Sequence, residues 1–422
     1  MVSLREMADA AFSRLGQAVL GTLERRNALA AALLFALLAV PACQDVGQRR
    51  IHLTVGTYWG GTAAQTLHRE LIGIAHGLGS VDIDLRPFSY SGLEDYLSKN
   101  QPRGGQETLD IAVVPSDWLG ELAQRGIIGE VPAPRVDEMR RTLVGQSLLA
   151  VSDGGRVLGF PIGADVLALI YDPSVFPSSP RTIDDVLSVR LPKGVLPFGL
   201  DLADPAQLVP FVTALQGSLL DRDGNLRWRD QEVLAAVRRL APAWQAPERW
   251  AACRGLDLES LQVQLFTEGK LASFIGGPWL VHALEDGGRP FRVIPIPGPV
   301  GAPHPARSLV TYQCVVITRE SPWADLALEA ASRLLEKGAN QRITYATRSL
   351  SVLLSAYESE QGAATGGSFG FLHALEEGQF LPPTAHWSEG FARTRARLAR
   401  MTNLPAPPTI AELDALLGGE QP

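Results

Sequence analysis

The sequence predicts an α/β protein built on a parallel sheet with helices on both faces. Two observations carry this. Three segments, His52 to Thr57, Val81 to Arg86 and Asp110 to Pro115, have the length and apolar or alternating pattern of strands. Each is followed by a stretch with helical spacing or a helix-opening signal, and strand–helix–strand–helix order is the signature of parallel strands joined by crossover helices.

In chain order, the run from His52 ends at Tyr58-Trp59-Gly60-Gly61, and Ala64, Leu67, Leu71, Ile72 and Ile74 then recur at near-helical spacing to about Ala75. Val81 to Arg86 alternates as a second strand, and Leu93 to Leu97 suggests a short helix. Asp110 to Pro115 is a third strand, closed by Ser116-Asp117 as an N-cap before a helix over Trp118 to Arg125. Ligands of such sheets sit beyond the carboxyl ends of the strands, where these turns lie. Val157 to Asp172 is a longer apolar stretch interrupted by Pro161 and Gly163, the pattern of a bent strand crossing between two lobes. Thr182 to Asp185 forms a capping box that opens a further helix. Asp221-Arg-Asp223-Gly224-Asn225, with Glu232 in twelfth place, has the outline of a calcium loop, but Leu226 stands where the sharp turn needs glycine, so it reads as a hairpin or a turn before a helix.

The chain has 422 residues, room for two domains or one large discontinuous pair, and 46% hydrophobic with 20% charged residues is ordinary globular composition. A formal charge of −7 opposes binding to nucleic acid, whose phosphates require a basic face. Three cysteines are too few for a disulfide scaffold; Cys253 and Cys314 read as two buried free thiols ahead of a disulfide. The seven histidines have no ligand spacing, so no metal is assigned, and no cofactor is implied.

Ala28 to Ala42 is an uninterrupted apolar run of 15 residues preceded by Arg25 and Arg26. It is shorter than the ~20 residues of a membrane-spanning helix and has the layout of a secretory signal. It ends Ala39-Val40-Pro41-Ala42-Cys43, similar to a lipobox, so cleavage before Cys43 with lipidation of its thiol is expected, residues 1–42 being the signal. Their removal takes four basic and three acidic residues and leaves −8. Two acyl chains suffice to hold a soluble domain at a membrane surface.

Five segments, in order, resemble the bacterial extracellular solute-binding proteins (family 1), the maltose- and sugar-type substrate-binding lipoproteins of ABC transporters. They are Val55-Gly-Thr-Tyr-Trp59; Asp110 to Trp118 followed by Leu122-Ala-Gln-Arg-Gly126; Gly159 to Asp165 with Leu169 to Asp172; Phe266-Thr-Glu-Gly-Lys270 with Gly277-Pro278-Trp279; and Leu334 to Ala346. The resemblance spans nearly all of 51–400. It implies a periplasmic-binding-protein-like clamshell of two discontinuous α/β lobes joined by crossing hinge strands. The expected division is 44–163 for lobe 1, returning at about 313–365, and 164–312 for lobe 2, returning at about 366–422. A monomer that closes on its solute and docks on ABC permease subunits follows from it.

A sugar presents flat apolar faces ringed by hydroxyls, which suit aromatic rings and polar rims. By the resemblance, Trp279 is the foremost ligand-stacking candidate, against a core role in the second lobe. Trp387 is a second platform or an ordinary helix-face aromatic. Asp165, after the hinge proline, and Asp117 match acidic positions that contact hydroxyls; a hinge hydrogen bond and the N-cap are their alternatives. Tyr58 and Trp59 line the cleft, and Tyr312 and Arg348 are weaker candidates with structural alternatives. Where maltose-type binders carry an acidic-Pro-aromatic segment, this chain has Asp204-Pro205-Ala206 without the aromatic, which leaves room for a smaller or non-sugar solute. The adjacent tyrosine pair of iron carriers is absent. Two rivals stand beside transport: a binding protein of the same fold that reports to a membrane sensor kinase, and, more distantly, an exported glycoside-acting enzyme using Asp117 and Asp165. No His-Glu-x-x-His motif supports an enzyme.

Overall fold

A computed structural model describes residues 50–99, 108–219, 227, 230–245, 247–250, 253–255, 258–356, 368–381, 383 and 387–417. Cys43, with the lipidation expected at it, and the turn 221–226 lie outside the described residues.

Eleven strands are described: β1 Ile51–Thr57, β2 Val81–Pro87, β3 Ile111–Pro115, β4 Ser152–Asp153, β5 Arg156–Val157, β6 Phe160–Val166, β7 Ala168–Tyr171, β8 Ser273–Gly276, β9 Arg292–Ile294, β10 Leu309–Ile317 and β11 Gln379–Phe380. They form two α/β lobes. The larger sheet runs β11-β10-β3-β1-β2, with β6 also paired to β10, and the smaller runs β8-β7-β9; β4 and β5 make a separate hairpin. All five residues of β3 are buried. Successive side chains of a strand point to opposite faces, so both faces of the larger sheet are covered there. The helices Gly61–His76, Ala324–Arg333 and Lys337–Thr347 pack together beside this sheet, tied by a bidentate Arg342–Glu70 pair at 2.6 and 2.8 Å.

The second lobe has its own core, in which Tyr171, Phe198, Phe211, Trp244 and Ile275 meet Leu398 and Met401 of the helix Trp387–Thr402 and Leu413 of Ile410–Leu417. The last two helices therefore return to this lobe. Gly199 pairs in parallel with Phe274, extending the smaller sheet beyond β8.

The long apolar stretch breaks at Leu167, which sends β6 into the larger sheet and β7 into the smaller. β10 runs antiparallel to β6 from Val310↔Val166 to Val315↔Phe160, while its end pairs with β3 and its start with β11. A third segment joins them where Leu350 and Ala164 exchange both backbone hydrogen bonds, at 2.8 and 2.9 Å. The buried Asn340 amide locks this crossing by donating to the Ile162 carbonyl at 2.8 Å and accepting from the Ser351 hydroxyl.

The Thr182–Asp185 capping box forms as expected. The Ser116-Asp117 cap does not. Residues Ser116–Trp118 make a tight 3-10 turn with no side-chain cap, and the helix is Leu119–Gln124. The Ser116 hydroxyl instead accepts the Tyr312 amide N–H of the neighbouring strand at 3.1 Å, because β10 packs antiparallel against β3 at that point. Cys253 and Cys314 are both free and buried.

Candidate functional site

The carboxyl ends of three strands of the larger sheet each deliver an aromatic ring to one place. β1 is followed by Tyr58, β2 by a turn into the helix Tyr90–Lys99, and β3 by Trp118. Because β1 and β3 are parallel neighbours in register, Thr57 opposite Val113, their ends lie side by side. Tyr58 and Tyr90 meet edge to face at 5.2 Å, Tyr90 and Trp118 at 4.8 Å, and Tyr58 lies 6.4 Å from Trp118. Tyr90 is 46% exposed and offers its ring to solvent, with Trp118, 9% exposed, packed behind it.

Beside this wall, Asp117 points a carboxyl oxygen, Oδ1, into a shielded position where no protein group donates to it. Burial pushes its pKa up to about 6; its own backbone N–H opposes the rise, Glu94 adds to it and Arg395 opposes it. Asp165, on β6, is also raised by burial, against hydrogen bonds from Gln313 and Ser349. Gln313 sits at an irregularity in the β10–β6 register, where a bulge can re-aim a side chain. Its amide accepts from the Tyr58 hydroxyl and donates to Asp165 at 2.7 Å. One hydrogen-bonded chain thus links the turn after β1 to both principal crossing strands.

Two elements of the second lobe carry further candidates. The turn Pro278–Leu280 after β8 carries Trp279, 38% exposed, whose indole N–H donates to the Glu259 carboxylate at 3.1 and 3.2 Å. Its ring lies directly over Gly277: a β-carbon there would fall 2.0 Å from the ring. On the helix Trp387–Thr402, Arg395 lies 3.7 Å from Asp204, and the same guanidinium lowers the pKa values of Asp117 and Glu94 in the first lobe. Arg395 thus pairs with Asp204 and acts electrostatically on Asp117 and Glu94. Glu94, Asp201 and Asp204 are all raised, burial being the principal cause. His282 then meets Tyr345 edge to face at 6.1 Å, bringing the helix Val281–Asp286 against Lys337–Thr347. Arg348 stacks on the Tyr345 ring at 4.2 Å.

Among the residues singled out from sequence, Tyr58, Asp117 and Asp165 converge at the first lobe's strand ends and the hinge, Trp279 is exposed on the second lobe, and Arg348 lies two residues before the Leu350 crossing. Two go elsewhere. Trp59 is 8% exposed, with its amide donated to Thr57. Tyr312 is 1% exposed, its hydroxyl bonded to Ser147 and raised to about 12 by burial, so it packs the interior. Trp387 opens its helix, and its side chain lies outside the described residues. Sequence reasoning missed Tyr90, Gln313, Tyr345 and Arg395. Only Gln313 left a signal, as an amide within the apolar run Leu309–Ile317. Among the described residues, no cluster of three or more His, Cys, Asp or Glu converges as a metal site, and no helix is long and apolar enough to cross a membrane.

Comparison with known proteins agrees with this architecture. Residues 75–367 match the profile of a family described as bacterial extracellular solute-binding protein. A maltotriose-binding protein of Pyrococcus abyssi is 22% identical over 211 residues, a match that takes in 49% of this chain and 45% of the archaeal protein's length. Among solved structures, the maltotriose-binding protein of Thermus thermophilus, bound with maltotriose, superposes with a TM-score of 0.71 at 21% identity, over 87% of this chain and 98% of that one. The GacH receptor of Streptomyces glaucescens, solved unliganded and with acarbose, gives 0.70 at 16% identity, over 88% and 99%.

Proposed function

This chain belongs to the bacterial extracellular solute-binding proteins, and from that premise we propose that it captures a small carbohydrate between its lobes and delivers it to the permease of an ABC importer. The observation that carries the reading is the pairing of the exposed Tyr90 ring, backed by Tyr58 and Trp118, with the shielded, unpartnered Oδ1 of Asp117 beside it. Aromatic faces bind the CH surfaces of a sugar, and a buried acceptor without a donor calls for a hydroxyl. Trp279 supplies a ring from the opposite lobe. Similar proteins that bind maltotriose or acarbose support the substrate class.

In this reading 44–163 with 313–365 forms the lobe that bears the aromatic wall, and 164–312 with 366–422 the lobe that bears Trp279 and Arg395. The three crossings at β6, β10 and Leu350 form the hinge, and the Tyr58–Gln313–Asp165 chain couples solute contact to its angle. Lipidation at Cys43 tethers the protein outside the cell membrane. The protein acts by capture and release, without chemical turnover.

The test is a thermal-shift screen of the purified protein against neutral and charged sugars, polyols, polyamines and amino acids. A solute at 100 times its dissociation constant adds about 2.7 kcal/mol, several degrees of melting temperature. A shift with one sugar class that Trp279→Ala removes supports the reading. A shift only with a non-sugar class keeps the fold and refutes the carbohydrate.

A further inference from the structure

Arg348 has a combination of features no other described residue shares. It closes the helix Lys337–Thr347 in the left-handed conformation, φ 62° and ψ 13°, and is the one non-glycine at positive φ among the described residues. That conformation is disfavoured for an L-residue and persists where the surroundings impose it. Its Nε and Nη2 are shielded from solvent, and no protein group accepts from either. These are the two N–H groups on one edge of the guanidinium. The same pair elsewhere in this protein grips Glu70 from Arg342, at 2.6 and 2.8 Å, and Asp172 from Arg289.

The setting accounts for its orientation. Tyr345 covers one face of the guanidinium, which fixes its plane and leaves the edge to make contacts. Arg395 pairs with Asp204 at 3.7 Å and acts electrostatically on Glu94, Asp117 and Asp201, and Asp165 is engaged by Gln313 and by Ser349. A shielded carboxyl can relieve its burial by taking a proton. A guanidinium cannot shed one, so its burial is compensated only by an acceptor. Ser349 and Leu350, the next two residues, bond to Asp165 and Ala164 at the crossing strands, which puts the fork at the hinge.

We propose that the Nε–Nη2 edge of Arg348 is an oxyanion subsite and that the solute is an acidic saccharide, whose carboxylate or phosphate ester accepts both N–H groups. This rests on the reading of the cleft as a carbohydrate site. Two parallel charge-assisted hydrogen bonds fit a planar carboxylate or two phosphate oxygens better than they fit neutral hydroxyls.

Melting temperature and titration calorimetry test this on the purified protein, with hexuronates and their oligomers, hexose phosphates, and the matching neutral sugars. Acidic sugars are expected to bind more tightly than their neutral counterparts, the carboxylate and phosphate arms telling which oxyanion is preferred. Arg348→Lys, which keeps the charge and loses the fork, should weaken the acidic sugar about 10- to 100-fold, at least about tenfold more than it weakens the matching neutral one. Arg348→Gly, free of the left-handed penalty and of the buried charge, should melt about 1–3 °C higher without solute. Neutral sugars binding as well as acidic ones, an Arg348→Lys variant equal to the parent, or a destabilised Arg348→Gly would each overturn the proposal while leaving the carbohydrate reading in place. Silence from neutral and acidic sugars alike would sink both.

Discussion

Replacing Asp117 by asparagine removes a charge from the place where the fold tolerates it least. The carboxyl titrates at about 6 in the folded protein instead of 3.8, with burial the principal cause. Its folded form therefore binds the proton more tightly than its unfolded form, and ionisation works against folding. Below about pH 4 both states are protonated and the residue costs nothing by this route. As pH rises from 4 to 6 the unfolded state ionises first and stability falls; above 6 the whole penalty, about 3 kcal/mol, is in place. An asparagine side chain has no such proton to lose. The substitution should be near neutral at pH 4 and stabilise by up to about 3 kcal/mol at pH 7 to 8. For a chain of this length that is about 4 °C of melting temperature. Melting curves of both proteins without solute, taken at half-unit steps from pH 4 to 8, measure it. A difference that does not change with pH, or a variant less stable at pH 8 than at pH 4 relative to the parent, would refute the burial argument. The same variant should bind a neutral sugar less tightly above pH 6, because an amide is a weaker acceptor than a carboxylate.

Gly277→Ala should separate binding from stability. The new methyl would fall 2.0 Å from the Trp279 ring, but that ring is the end of a movable side chain and can swing away. Stability should drop by under about 1 kcal/mol, while the indole's bond to Glu259 breaks and solute affinity falls, as calorimetry would record. Arg289→Ala strips a fork from Asp172, whose side chain is only 2% exposed. Against burial, bonds from Ser174 and Arg289 hold that carboxyl below its usual range. Urea unfolding should show a loss of about 2–3 kcal/mol at pH 7 that shrinks as pH falls through the folded pKa of Asp172.

Much of this molecule is legible in local pattern. The alternation of β2, the solid apolar runs of β1 and β3, the capping box at Thr182 and the interrupted stretch that becomes β6 and β7 depend on short-range steric and hydrogen-bonding preferences, which a sequence displays directly. The placement of Tyr58 and Asp117 after strands was legible for the same reason, since crevices form where parallel strands end. The Ser116 cap was misread because its hydroxyl had a better partner 196 residues away, on a strand whose antiparallel approach no local pattern announces.

The sequence by itself determined the α/β class, the strand ends and the turns that carry the first lobe's candidate site residues, because each of these follows from the preferences of neighbouring residues. Only the tertiary structure decided that Tyr90 joins Tyr58 and Trp118, that Gln313 ties Tyr58 to Asp165, that Arg395 pairs with Asp204, and that Tyr312 is interior. These are pairings between segments tens to hundreds of residues apart, where burial and charge are set by what packs alongside and not by the chain on either side.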